Sequence, residues 1–256
     1  MPSHPIYAGS FYRSQSGGSL ASAQTVVPLV QSFVGARSVV DIGCGVGTWA
    51  SEFRRSGADV SGMDGPWVPL DQLRIPVESF RDIDLQNPPV PDRRFDLAVC
   101  LEVAEHVPET AAGRLISFLC LLSDTVLFSA AIPFQGGNGH VNEQWPLYWD
   151  HHFRRNGFEC FDILRDRIWS DGTVEYFYRQ NLLLFCRNTG PDSVHARLLA
   201  AGHAAGAPRN LVHPENDATL GATSLDSFSL KLMLAALPRV AAAALARRFG
   251  RHPARI

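Results

Sequence analysis

Residues 38–48 read S-V-V-D-I-G-C-G-V-G-T, and this stretch decides the fold. Val39, Val40 and Ile42 form a short apolar run of the kind that makes a buried strand. Three glycines then alternate, Gly43, Gly45 and Gly47, and a helical pattern follows with Trp49, Ala50 and Phe53 on one face. Strand, glycine turn and helix together bring backbone N–H groups up against a ligand, because no Cβ stands in the way. The dinucleotide pattern G-x-G-x-x-G requires a glycine where Thr48 stands, which weighs against a nicotinamide cofactor. A glycine turn alone is ordinary in α/β domains, so the rest of the chain has to decide.

Outward from this turn, strand and helix patterns alternate. Residues 48–56 read as a crossover helix, 58–63 as a second strand ending at Asp64, 77–80 as a third strand and 95–101 as a fourth. A helix is expected over 109–122, a fifth strand over 125–132, a helix over 143–156, and two last strands over 158–164 and 181–186, separated by a long link. Such alternation is that of a doubly wound sheet. Upstream, residues 23–34 have helical spacing. Residues 1–22, rich in Ser, Gly and the aromatics Tyr7, Phe11 and Tyr12, read as a loose arm or lid. The main domain is therefore expected over 23–188 and a linker with a helical tail over 189–256. Within the tail, residues 228–249 form an Ala/Leu amphipathic pattern interrupted at Pro238, with Arg239, Arg247, Arg248 and Arg251 towards its end. Those cations suit a helix C-terminus; a weak membrane-surface or partner contact is the alternative.

The chain has 256 residues and a formal net charge of −2, which gives no global attraction to nucleic acid or anionic membrane. Cys44, Cys100, Cys120, Cys160 and Cys186 contain no C-x-x-C pair, so reduced thiols in a cytoplasmic protein are expected. The first residues lack the apolar core of a signal peptide, and no apolar run is long enough to span a bilayer.

Four stretches occur in order: D-I-G-C-G-V-G-T, V-S-G-M-D, R-D-I-D-L and F-D-L-A-V-C-L-E-V-A-E-H. Together they resemble the motifs of class I S-adenosylmethionine (SAM) dependent methyltransferases, over residues 38–187. The resemblance implies a Rossmann-like, mostly parallel seven-stranded sheet whose last two strands form an antiparallel hairpin, with SAM as cofactor. It implies a cofactor site made of Asp41, Gly43, Cys44, Gly45 and Gly47 in the turn, Asp64 on the ribose hydroxyls, Asp84 on the adenine amino group, the Leu85 N–H facing the ring, and Leu101 at the end of the fourth strand. Asp64 also stands about twenty residues beyond the first strand, the spacing at which a carboxylate meets a ribose. Asp64-Gly65-Pro66 is equally good turn chemistry. Asp82 competes with Asp84, and either also reads as a surface acid.

The expected reaction is O-methylation of a small hydroxylated acceptor, such as a sugar, a glycan end or a phenolic natural product. N- or C-methylation, or a non-catalytic subunit of the same fold, are the alternatives. A hydroxyl must lose its proton, and His140, His106 and Glu143 are the candidate catalytic residues. Glu102, Glu105 and His106 share a face if E-x-x-E-H forms a helical turn. With His140 they make a candidate set for a divalent metal, Mg²⁺, Mn²⁺, Zn²⁺ or Fe²⁺ alike on donor type. This set resembles those of small-RNA 3′-terminal 2′-O-methyltransferases and of ubiquinone-pathway O-methyltransferases. The basic RNA-binding surface of the first is not evident, so no nucleic-acid partner is expected. A histidine that only orders its loop is the plainer reading. Trp145, Tyr148, Trp149, Trp169, Tyr176 and Tyr178 read either as acceptor-pocket walls or as core.

Overall fold

Val39, Val40 and Ile42 are completely buried, as an apolar run must be when helices cover both faces of its sheet. They belong to β1 (Ser38–Ile42), in a computed structural model that describes residues 9–216. Residues 1–8, and the expected helix over 228–249, lie outside the described residues.

Seven strands form one sheet in the order β3-β2-β1-β4-β5-β7-β6. They are β1, β2 (Asp59–Asp64), β3 (Phe80–Asp82), β4 (Leu97–Leu101), β5 (Thr125–Ser129), β6 (Phe158–Phe161) and β7 (Leu183–Arg187). Pairing is parallel from β3 through β5, and β7 runs antiparallel to both neighbours. The expected doubly wound sheet with its terminal hairpin is therefore present.

The helices are α1 (Gly9–Val34), α2 (Thr48–Arg55), α3 (Glu109–Leu122), α4 (Pro146–Arg155), α5 (Arg165–Ile168), α6 (Tyr176–Asn181) and α7 (Val194–Ala200). Val26, Phe53, Tyr178 and Leu198 pack in the core on one face of the sheet. Leu115, Ile116, Trp149 and Phe153 pack in the core on the other.

Four expectations need correcting. Residues 9–22 are the first half of α1, not a loose arm. Gly and Ser weaken a helix by only tenths to about 1 kcal/mol each, and tertiary contacts outweigh this: buried Ser22 accepts from the Glu175 N–H at 2.9 Å. The third strand starts at Phe80, because Val77–Ser79 makes a 3₁₀ turn behind Pro76. α4 starts at Pro146, whose missing N–H suits a first helical position; this leaves Glu143 in the preceding loop. Asn181 ends α6 instead of opening β7.

Candidate active site

The glycine turn requires its glycines. Gly43, Gly45 and Gly47 have φ of 72°, 52° and 79°, in the left-handed region that side chains disfavour. A Cβ on Gly43 would stand 2.4 Å from a methyl of Val103, so this residue is fixed by packing as well as by φ. Asp64 ends β2, and its carboxylate accepts from the Gly45 N–H at 2.7 Å and the Gly65 N–H at 2.6 Å. The Trp67 side chain hydrogen-bonds it as well, and burial raises its pKa. Asp41 accepts from the Ala50 N–H at 3.3 Å and so anchors the start of α2. Burial pushes its pKa to about 7 against that hydrogen bond, and the Asp64 charge adds to the rise. Cys44 is half-buried, with its thiol pushed well up by burial. Asp84 lies just past β3, exposed, and accepts from the Gln86 N–H at 2.9 Å and the Asn87 side-chain amide at 3.1 Å. Leu85 follows it half-buried, and Leu101 ends β4. All nine positions sit at or just beyond the C-terminal ends of parallel strands, where ligands bind in open α/β sheets.

The second cluster follows β4 and β5. Glu102 takes a left-handed φ of 54°, rare for a residue with a side chain. Its carboxylate accepts from Gln135 Nε2 at 2.9 Å and Asn181 Nδ2 at 3.1 Å. Ala104–His106 then makes a 3₁₀ turn. Glu105 has no exposed surface and neither carboxyl oxygen has a hydrogen-bond partner among the described residues. Its own amide and that of Ala131 lean towards it without closing a bond, and burial holds its pKa well above the carboxylate range. His106 Nδ1 lies 3.3 Å from the Gly139 carbonyl, and burial followed by the neighbouring His140 pushes its pKa down to about 4. The two imidazoles meet edge to face at 4.8 Å. His140 Nδ1 lies 2.9 Å from Glu143 Oε1, and its Nε2 lies 3.9 Å from Glu105 Oε1. Glu143 also accepts from the Phe134 and Gly136 amides, both at 2.8 Å. One carboxylate thus shapes the loop and aims the imidazole.

A family model described as a methyltransferase domain matches residues 19–162, more than half of the chain. The chain belongs to the methyltransferase domain family. Among curated relatives, it is 34% identical over 84 residues to a ubiquinone biosynthesis O-methyltransferase of Acinetobacter baylyi, covering 30% of this chain and 35% of that one. The chain thus spans about a third of the length of the relative it matches. Two solved structures share the fold. The magnesium protoporphyrin IX methyltransferase of Synechocystis PCC 6803 with bound S-adenosylhomocysteine has a TM-score of 0.52 at 20% identity, over 69% of this chain and 88% of that one. An O-methyltransferase family protein from Burkholderia thailandensis has a TM-score of 0.53 at 15% identity, over 72% and 62%.

In this methyltransferase domain the expected set of four metal ligands does not assemble. Glu105, His106 and His140 offer donor atoms within 4.8 Å of one another, and Glu102 is not among them. The physical reason is its left-handed backbone, which takes it off the following turn and into a cage of carboxamides. Gln180 Nε2 donates to Gln135 Oε1 and Asn181 Oδ1, both at 3.0 Å, and Gln180 Oε1 accepts from the His213 N–H at 2.8 Å. Gln135, Gln180 and Asn181 were not among the expected site residues. The available signal was a polar pair, Gln180-Asn181, standing directly before the apolar run of β7. Trp149 and Tyr178 are core, not pocket walls: Trp149 packs on Phe128, and Tyr178 accepts from the Trp49 indole at 3.1 Å. All five cysteines are free thiols, and among the described residues no helix is long and apolar enough to cross a membrane.

Proposed function

We propose that this methyltransferase domain binds SAM at the glycine turn and methylates an oxygen of a small hydroxylated acceptor, with His140 as the base. The observation that carries this reading is the Glu143–His140 pair, 2.9 Å apart beside the ends of β4 and β5. Donation of Nδ1–H to Glu143 leaves the lone pair on Nε2, the atom that can take a proton from a hydroxyl. The acceptor oxygen then attacks the sulfonium methyl, the C–S bond breaks, and the products are the methyl ether and S-adenosylhomocysteine. The proton rests on His140, whose cation Glu143 stabilises, and leaves to water. The relative's designation as an O-methyltransferase supports oxygen as the methylated atom.

On the cofactor side, Gly43, Cys44, Gly45 and Gly47 present backbone to the ligand. Asp64 exchanges its amide partners for ribose hydroxyls, Asp84 and Leu85 meet the adenine, and Leu101 closes the floor. Asp41 contributes negative charge opposite a cationic donor. We place the protein in the cytoplasm, without a nucleic-acid partner; of the expected linker and tail over 189–256, the part through residue 216 instead packs on the domain through Leu198 and His213.

A second reading has a specific observation behind it. The buried Glu105 carboxyl lacks a hydrogen-bond partner among the described residues and lies near two imidazoles, a donor set that fits a divalent cation. Glu105, His106 and His140 would hold it, and a bound ion would lower the pKa of a hydroxyl beside it.

The test uses labelled SAM with a panel of sugars and phenols, alongside calorimetry with S-adenosylhomocysteine. His140→Ala should abolish transfer and retain cofactor binding. Full activity after exhaustive chelation would remove the metal reading. Failure of the wild type to bind S-adenosylhomocysteine would overturn the cofactor reading.

A further inference from the structure

One cleft of the described residues lies away from the strand ends. It has a volume of about 810 Å³ and lies between α3, α4 and the loop that follows Asp84. Arg114, Arg155 and His152 line it, and no acidic residue does, in a chain whose net charge is −2. Arg155 has no ion pair or hydrogen bond among the described residues. Arg114 spends Nε on the Gln86 carbonyl at 3.0 Å and one terminal nitrogen on the Thr110 carbonyl at 3.2 Å. Neither contact neutralises its charge, and a guanidinium has further N–H groups to offer. His152 reports the same field: burial first, then His151 and Arg155, push its pKa down, opposed only by Glu109.

The other wall is apolar. Val90 is 89% exposed and Leu121 53% exposed, flanking the ring of Phe118. Isolated apolar side chains on a surface mean little, but here they border two guanidinium groups that lack a carboxylate.

We propose that this cleft binds a small organic anion, a phosphate or carboxylate carried on an apolar body, and that its occupancy is felt at the cofactor-side loop. Arg114 and Arg155 take the anionic group, because guanidinium matches phosphate and carboxylate geometry. The apolar body covers Leu121 and Val90. The link to the cofactor side is short. Asn87 lines the cleft and donates to Asp84 at 3.1 Å, and Arg114 holds the adjoining Gln86 carbonyl. This coupling rests on the proposed place of Asp84 at the adenine; the anion site itself does not.

The test titrates phenyl phosphate and inorganic phosphate into the full chain by calorimetry. Phenyl phosphate should bind saturably and about tenfold more tightly than inorganic phosphate, since its ring buries apolar surface. Arg155→Gln and Arg114→Gln should each weaken it about tenfold. Leu121→Ser should bring the two probes together. Equal binding by wild type and both arginine variants would overturn the site, as would binding of a single-stranded oligonucleotide but not of phenyl phosphate. Saturating phenyl phosphate should shift the affinity for S-adenosylhomocysteine about fivefold; an unchanged affinity would remove the coupling. If S-adenosylhomocysteine does not bind at all, the cofactor reading fails while the phenyl phosphate titration still decides the cleft.

Discussion

Asn181 Nδ2 stands 3.1 Å from Glu102 Oε1 and 2.9 Å from Gln135 Oε1, and so ties the residue after β4 to the residues that lead into β7. Burial raises the pKa of Glu102, opposed by the hydrogen bonds from Asn181 and Gln135; once ionised the carboxylate only accepts, and the donors of the cage are then oriented by it. The His213 amide feeds Gln180, Gln180 feeds Gln135 and Asn181, and those two feed Glu102.

Asn181→Asp should therefore do more harm than its small change in shape suggests. It sets carboxylate against carboxylate in a buried place, at a loss of about 3 kcal/mol or more. Asn181→Leu removes the donor to Glu102 and Gln135 and the acceptor for Gln180 without adding a charge, and should lose about 1–3 kcal/mol. In urea denaturation the Asp variant should be weaker at pH 8 than at pH 5.5, where the pair shares a proton. Equal losses at both pH values would mean Glu102 is not the charge that orients the cage.

Gly43→Ala brings a methyl to 2.4 Å from Val103 and keeps a φ of 72°. The clash and the left-handed strain are separable. Val103→Ala should restore part of the lost stability in the double variant, leaving about 1–2 kcal/mol that belongs to the backbone. Thermal melts of the two single variants and the double variant check this, and strict additivity would deny the contact.

Glu143→Gln should reduce transfer about 100-fold or more while leaving S-adenosylhomocysteine affinity within about twofold. The amide keeps the shape but cannot stabilise an imidazolium on His140. Single-turnover rates with labelled SAM give the first number and calorimetry the second. A parallel fall in both would point to collapse of the loop that Glu143 holds.

Asp41 carries a pH dependence of definite sign. Its folded pKa of about 7 lies above its ordinary 3.8, so the folded state holds the proton longer than the unfolded chain does. Stability is therefore lost as pH rises from about 4 to about 7, on the order of 4 kcal/mol at most. Asp41→Asn still accepts from Ala50 and should melt higher than wild type at pH 8, with little difference at pH 4. It should also bind SAM more weakly at pH 8, having lost the anion opposite a sulfonium. A variant that melts lower at pH 8 would contradict the assigned shift.

Much of the fold could be read from the chain because its signals are local. The bounds of α3 coincide with the apolar periodicity from Glu109 to Leu122, and β1 and β4 announce themselves as apolar runs. What could not be read depends on distant partners. α1 begins at Gly9, well before residue 23, and its Ser22 is bonded to Glu175 at the head of α6, 153 residues away, a contact no local pattern announces. Glu102 leaves the E-x-x-E-H set because Asn181, 79 residues on, supplies a donor. The Glu143–His140 contact spans three residues and both were expected at the site, but no periodicity says that the same carboxylate also holds Phe134 and Gly136.

The reversal of β7 has a consequence for how such a domain can diversify. In a parallel strand, the residues that enter it arrive at the end far from the ligands. β7 runs the other way, so the segment entering it, α6 with Gln180 and Asn181, arrives at the ligand end. The strands β1 and β2, with their glycine turn and Asp64, stand three and four positions from β7, beyond β5 and β4. Residues 162–182, tied to Ser22, Trp49 and His213 as well as to Gln135, are the segment whose exchange together with those partners would recast the wall beside Glu102 while the strands of the parallel half stay as they are. A chimera that imports this segment together with those partners should keep the nucleoside-side geometry and alter acceptor preference.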